Sequence, residues 1–220
     1  MYQVLEQLWS SKLKSIRPVD LKSIVGRYNQ SFAEMTQQDS QEFLSSMLDW
    51  LKEEVNRASK PNATPGQIVV DNGDISAARR HWVNFVERNQ SVIDKLFCGQ
   101  TRSVVKCFLC KGESVTYSHF TMLTLPLPEH TNKTSVKECL ELYLKESFVS
   151  DYKCGVCDRS GKASTKTDIV KLPSYLIIHL SRFQQTMTGT RKKYNIVQFD
   201  LNDVNFGHYG LSGFDNRHHR

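Results

Sequence analysis

Four of the six cysteines fall into two tight pairs, Cys107-Phe-Leu-Cys110 and Cys154-Gly-Val-Cys157. Four thiolates in two such turns make a complete tetrahedral site for one zinc ion and leave no open position for water or substrate. The metal is therefore expected to be structural, and catalysis has to be sought elsewhere. Gly112 and Gly155 are expected to give the knuckles their flexible backbone. The long interval between Cys110 and Cys154 suits a ribbon in which each knuckle caps its own hairpin. The alternative is four unliganded thiols. Cys139 lies beside Leu140, on the helical face of Val136 and Tyr143, and reads as a buried structural thiol. Cys98 sits at a helix-to-strand junction, where a reactive thiolate is the alternative to a structural role.

The chain that must position these groups has 220 residues, 39% hydrophobic and 24% charged, a composition of a globular protein. No stretch approaches ~20 apolar residues, so no membrane span is expected. The first residues lack the basic-then-apolar layout of a secretory signal. The Asn-x-Ser/Thr matches at Asn29, Asn62, Asn89 and Asn132 are accordingly read as chance, and the cysteines as thiols rather than disulfides. The formal charge of +6 would fall to roughly +4 on zinc binding through four thiolates. No Lys/Arg run exceeds three residues, which argues against a nucleic-acid partner.

Helices dominate the first half. Val4, Leu5, Leu8 and Trp9 follow helical spacing, and Pro18 opens a second short helix through about Val25. Thr36 is read as the cap of the next helix with Asp39 as capping-box partner, followed by a stripe at Leu44, Met47, Leu48, Leu51 and Val55. Residues 59–74 read as a mobile surface loop. A helix from Ser76 to Asn89 carries Trp82, Phe85 and Val86 on one side. From Gln100 the period changes to two, with strands over Val104–Cys107 and Ser114–Leu125. Ser135 and Glu138 form a capping box that opens a helix through Leu144. Tyr175–Leu180 is the most apolar strand and Ile196–Leu201 the last. The layout is α+β.

Five ordered motifs give the chain a family resemblance. Gln37-Gln38-Asp39-Ser40-Gln41-Glu42-Phe43 resembles the Gln-Gln-Asp-x-Gln-Glu-Phe signature of the ubiquitin-specific proteases. Leu96-Phe97-Cys98-Gly99-Gln100 is similar to the start of that family's fingers, and the two Cys-x-x-Cys pairs to its zinc ribbon. Leu123-Thr-Leu-Pro-Leu-Pro128 and Leu172-Pro173-x-x-Leu176-Ile-Ile-His179-Leu180-Ser181-Arg182-Phe183 match later blocks, with Ser181 in place of the usual lysine. Around Trp82, Asn89, Ser91 and Ile93 the chain looks most like the subgroup of ubiquitin carboxyl-terminal hydrolase 8.

The resemblance implies a papain-like thumb, palm and fingers that grip ubiquitin. Residues 1–97 would form the helical thumb, 98–185 the zinc-ribbon fingers with adjoining palm strands, and 186–220 a truncated palm and tail. One structural zinc would be held by Cys107, Cys110, Cys154 and Cys157. Asp39 and Glu42 would pair with ubiquitin's arginine-containing tail, because carboxylates near a helix N-terminus are stabilised there and accept several donors. The expected partners are ubiquitin and ubiquitinated proteins. The expected location is cytoplasmic, with endosome association in a full-length parent.

The family's reaction is hydrolysis of the amide or isopeptide after ubiquitin's last glycine. It needs a thiolate nucleophile, an activating histidine and an orienting Asp or Asn. Nothing here resembles the Gly-Asn-Thr-Cys box of the nucleophile, so the chain is expected to start after it. Gly207-His208-Tyr209 resembles the histidine box, but we reject His208 as the base. Phe199-Asp-Leu-Asn-Asp-Val204 matches a strand that comes well before the true box, and the step from His208 to Asp215 is too short for two adjacent strands. His218 and His219 read as solvated tail residues. This stretch alone is therefore expected to be an inactive part of a cysteine-type deubiquitinase. One alternative is a non-catalytic ubiquitin-binding module. Another is a zinc-ribbon protein that binds nucleic acid, disfavoured because Arg102 and Lys106 lack an aromatic stripe beside them.

Overall fold

The structure is a computed structural model that describes residues 2–10, 15–58, 75–186, 189–200, 206 and 209. The expected loop at 59–74, His208, His218 and His219 lie outside the described residues. The chain divides into two units, Met1–Asp49 and Trp50–Arg220.

In the first unit, α1 (Tyr2–Trp9) and α2 (Val19–Tyr28) form where the periodicity puts them. Asp20 in the first turn of α2 and Arg27 in the last complement the helix dipole. The Asn29 carboxamide then accepts the Ser31 N–H at 3.0 Å and starts a single 3-10 turn, Gln30–Phe32. Phe32 is buried and meets the Phe43 ring edge-on, with centroids 5.5 Å apart. Helix α3 (Ser40–Glu54) departs from the expected capping box. Asp39, not Thr36, holds the cap position: its carboxylate accepts the Gln41 N–H at 2.8 Å and its carbonyl the Phe43 N–H at 3.0 Å. Thr36 is instead bonded to the Gln38 side chain. Aspartate is the stronger cap, and its choice starts the helix a residue after the acid.

In the second unit, α4 (Ile75–Arg88) buries Ala77 and Ala78, while Val86, expected on one side with Trp82 and Phe85, is exposed. Two alanines without bulk let the helix approach its neighbours, a contact that hydrophobic spacing does not reveal. Helix α5 (Val92–Phe97) follows, opened by a complete capping box between Ser91 and Asp94.

A four-stranded antiparallel sheet forms the centre of the ribbon, in the order β2-β1-β6-β5, from β1 (Gly99–Cys107), β2 (Glu113–Phe120), β5 (Ser147–Lys153) and β6 (Ser160–Lys171). The expected single strand over 114–125 is two: β2 ends at Phe120 and β3 (Leu123–Pro126) turns away. β3 pairs in parallel with β7 (Ile178–Ser181), so Tyr175–Ile177 is not strand. β4 (Lys133–Ser135) pairs in parallel with β10 (Ile196–Gln198), and β8 (Phe183–Thr186) with β9 (Gly189–Lys192) as a hairpin. Helix α6 (Val136–Leu144) spans the range expected of it. The Ser135 hydroxyl accepts the Glu138 N–H at 3.1 Å, and Glu138 accepts the Ser135 N–H at 2.8 Å.

Leu123, Leu125, Leu127, Cys139, Leu140, Ile169 and Leu172 form the core between β3, α6 and β6. Each such leucine contributes about 1.5–3 kcal/mol by leaving water. Arg182 ties the following strands to it. Its guanidinium donates to the Lys193 and Asn195 carbonyls at 3.3 and 2.9 Å, and the Asn195 amide donates to the carbonyls of Pro128 and Thr131.

Candidate functional site

The two knuckles are brought together by strand pairing. β1 runs into Cys107, and β6 leaves the second knuckle at Ser160. The β1–β6 ladder extends to Cys107 opposite Ala163, which sets the turns side by side. The knuckles repeat one hydrogen-bond pattern. The Cys107 N–H donates to the Gly112 carbonyl and the Cys154 N–H to that of Arg159, both at 3.0 Å. The Lys111 N–H donates back to Cys107, and the Asp158 N–H back to Cys154. Both turns require a left-handed residue, supplied by Lys111 (φ 61°) and Asp158 (φ 53°). This corrects the role expected of Gly155, at which an added Cβ would meet nothing within 4 Å. Gly112 matters through space, since a Cβ there would lie 3.1 Å from Val156 and 3.2 Å from the Cys110 sulfur.

All four sulfurs lie within 4.8 Å of one another, and Cys110 Sγ is 3.7 Å from Cys154 Sγ. Four thiolates ~2.3 Å from a central zinc stand roughly 3.8 Å apart, so the donor set fits a tetrahedral ion. Backbone N–H groups already point at the sulfurs, Gly112 at Cys110 and Val156 at Cys154, each at 3.4 Å. The Cys110 and Leu109 N–H groups hold Cys107 below the usual thiol range, with burial opposing them. The Arg159 N–H brings Cys157 down to about 7. The Gly112 N–H favours ionised Cys110, yet burial and the three neighbouring sulfurs push it up to about 11. Like charges this close resist full ionisation unless a cation sits among them. With all four donors used, the cluster could hold a metal ion but offers it no position for a reacting molecule.

Neither remaining cysteine is placed for catalysis. Cys98 is 3% exposed and its thiol donates to Asp94 Oδ1 at 3.5 Å. Cys139 is fully buried in the core, where burial pushes its thiol up.

Asp39 and Glu42 are exposed at the start of α3, Asp39 with one oxygen on the Gln41 N–H. Beside Asp39 opens a cavity of about 370 Å³ with Leu21, Val25, Phe32 and Phe43 in its lining.

Sequence reasoning missed a polar hub at Asp94. Its carboxylate accepts the Ser91 N–H and hydroxyl at 3.2 and 2.6 Å and pairs with Lys52 at 3.0 Å. Lys52 also lies 5.2 Å from the Phe85 ring centre, and Phe85 stacks on His119 at 3.9 Å. The Ser91-x-x-Asp94 spacing was the available signal.

The fold and site define an α+β domain whose four-stranded ribbon carries a four-thiol cluster able to hold a metal ion. A family model described as Ubiquitin carboxyl-terminal hydrolase matches residues 1–219, and the chain belongs to that family. It is 30% identical over 223 residues to Ubiquitin carboxyl-terminal hydrolase Usp2 of Drosophila melanogaster, covering 99% of this chain and 23% of the relative. With Ubiquitin carboxyl-terminal hydrolase 21 of Rattus norvegicus it shares 31% over 229 residues, 94% of this chain and 40% of the relative. With Ubiquitin carboxyl-terminal hydrolase 2 of Gallus gallus it shares 32% over 207 residues, 92% and 58%. These relatives are consistent with the subgroup resemblance at Trp82 and Asn89. The chain spans less than two thirds of their length. A solved SAGA DUB module of Ubp8, Sgf11, Sus1 and Sgf73 bound to monoubiquitin contains the same fold, with TM-score 0.61 and 24% identity over 88% of this chain and 38% of that one. No helix among the described residues is long and apolar enough to cross a membrane.

Proposed function

We propose that this chain is the ubiquitin-gripping part of a cysteine-type deubiquitinase, and that by itself it binds ubiquitin without cleaving it. The family match over residues 1–219 carries the first half of this reading. The burial of Cys98 and Cys139 supports the second, because an enclosed thiol cannot reach an isopeptide. In this reading residues 1–97 are the thumb, 98–185 the fingers with palm strands, and the remainder palm. Zinc at Cys107, Cys110, Cys154 and Cys157 would brace the fingers far more than it would serve chemistry. Asp39 and Glu42 would meet the basic tail of ubiquitin, Asp39 using one oxygen for its helix and the other for the tail. Thiols kept reduced to hold zinc suit a cytoplasmic site of action.

The test has two arms. A fluorogenic ubiquitin substrate should show no turnover with the 220-residue chain; turnover abolished by Cys98→Ala would sink the non-catalytic reading. Labelled ubiquitin should bind, and Asp39→Asn should weaken binding roughly tenfold or more while leaving the helix capped, since Asn caps about as well as Asp. Unchanged affinity in Asp39→Asn would remove Asp39 from the contact.

A further inference from the structure

The four cluster thiols differ in access. Cys110 and Cys157 are half-buried, one in each knuckle, whereas Cys107 and Cys154 are 1% and 2% exposed. The 3.7 Å approach joins unlike members of the set: half-buried Cys110 of one knuckle faces buried Cys154 of the other. An accessible sulfur beside an enclosed one is the arrangement of an oxidised thiol and its resolving partner. The Gly112 N–H donates to the Cys110 sulfur and the Val156 N–H to the Cys154 sulfur, each at 3.4 Å.

We propose that this cluster is an oxidative modification site for a hydroperoxide, and that its product is a disulfide between the knuckles, Cys110 to Cys154. In the first step the Cys110 sulfur, ionised as zinc ligation requires, attacks one oxygen of hydrogen peroxide. The O–O bond breaks, the leaving hydroxide takes a proton from solvent to become water, and Cys110 becomes a sulfenic acid. In the second step the Cys154 sulfur attacks that sulfur. The S–O bond breaks, and the departing hydroxide takes a second proton from solvent and leaves as water. Two thiolates lose two electrons, and one peroxide with two solvent protons becomes two waters. A bound zinc loses two thiolate ligands in the process and is released.

The consequence is structural. A bridge within one knuckle would leave the β1–β2 turn and the β5–β6 turn untied. A bridge between them replaces the metal with a covalent clasp and keeps the two turns together. Cys98 and Cys139, 3% and 0% exposed, are the internal controls that peroxide should not reach.

The flanking residues make the product readable. Lys106, Lys111, Lys153 and Arg159 let trypsin excise residues 107–111 and 154–159 as separate peptides. The zinc-loaded full chain is treated with hydrogen peroxide, alkylated and digested. We expect the two knuckle peptides to appear joined, with fragmentation placing the bridge at Cys110 and Cys154. Zinc release, followed with a chromophoric chelator, should track the joined species, and Cys98 and Cys139 should be recovered alkylated. Cys110→Ser should lose the joined pair. The wild-type map decides the question even if that variant folds poorly. Two separate peptides each lighter by two hydrogens, sulfinic or sulfonic acid at Cys110 without a joined pair, or cluster thiols untouched by peroxide would each overturn the proposal.

Discussion

Lys52 and Asp94 form an ion pair of 3.0 Å in which the aspartate side chain is 3% exposed and the lysine side chain 22%. Asp94 simultaneously closes the cap of α5 through Ser91 and takes the Cys98 thiol. One enclosed carboxylate therefore joins the end of α3 to both ends of α5. Removing it strands a lysine and a buried hydroxyl together. Asp94→Ala is expected to lose about 3–5 kcal/mol, the usual cost of breaking an enclosed pair from one side. Urea unfolding of the chain measures it, and a loss near that of an exposed surface pair would show the hub to be solvated.

Gly99 is demanded by its neighbours. A Cβ there would stand 2.4 Å from Cζ of Phe120 and 2.7 Å from the Lys171 carbonyl oxygen. The ring can rotate away, but the carbonyl belongs to the β1–β6 ladder and cannot. Gly99→Ala should cost about 1–3 kcal/mol or more through overpacking. A midpoint in urea equal to wild type would contradict this.

His119 gives the fold an acid sensitivity. Burial against Phe85, with Lys52 and His81 nearby and Asp94 opposing them, brings its pKa down from 6.5 to about 4. The folded chain thus keeps the ring neutral where the unfolded chain would protonate it. The resulting stability is complete above pH 6.5 and is lost as pH falls through about 4. The slope in that window corresponds to at most one proton. Unfolding free energies measured across it should flatten in His119→Phe; an unchanged slope would assign the effect to other groups.

Metal removal should act on the ribbon first. A chelator is expected to lower the thermal midpoint of the chain and to increase amide exchange in β1, β2, β5 and β6 before the core around Leu125 and Leu140, because the cluster ties the strand ends together while the core is held by packing. Equal midpoints with and without chelator would mean that the strand ladders alone hold the knuckles.

Features confined to a few consecutive residues are legible in the sequence alone. The Ser135–Glu138 box and its helix, the α2 start after Pro18 and the metal-ligand types of the knuckles all depend on groups within one turn of chain. The departures share a cause as well. Thr36 lost the cap to Asp39 because two residues competed for one role and the acid held the better geometry. Tyr175–Ile177, though apolar, leads into β7 without being strand, its Tyr175 N–H taken by the Leu96 carbonyl, and Val86, read on the side of Trp82 and Phe85, is exposed while Ala77 and Ala78 are buried.

The linear chain settled which residues cap, turn and offer sulfur, since those preferences are written in local hydrogen bonding and side-chain chemistry. Folding in three dimensions decided what those residues meet. The β1–β6 register sets Cys110 within reach of Cys154, and parallel pairing of β3 with β7 shapes the core. Lys52 reaches Asp94 across a span of chain that no local spacing encodes. Such contacts are chosen by the burial and register of the whole unit, in which shifting a strand by one residue would turn every side chain to the other face.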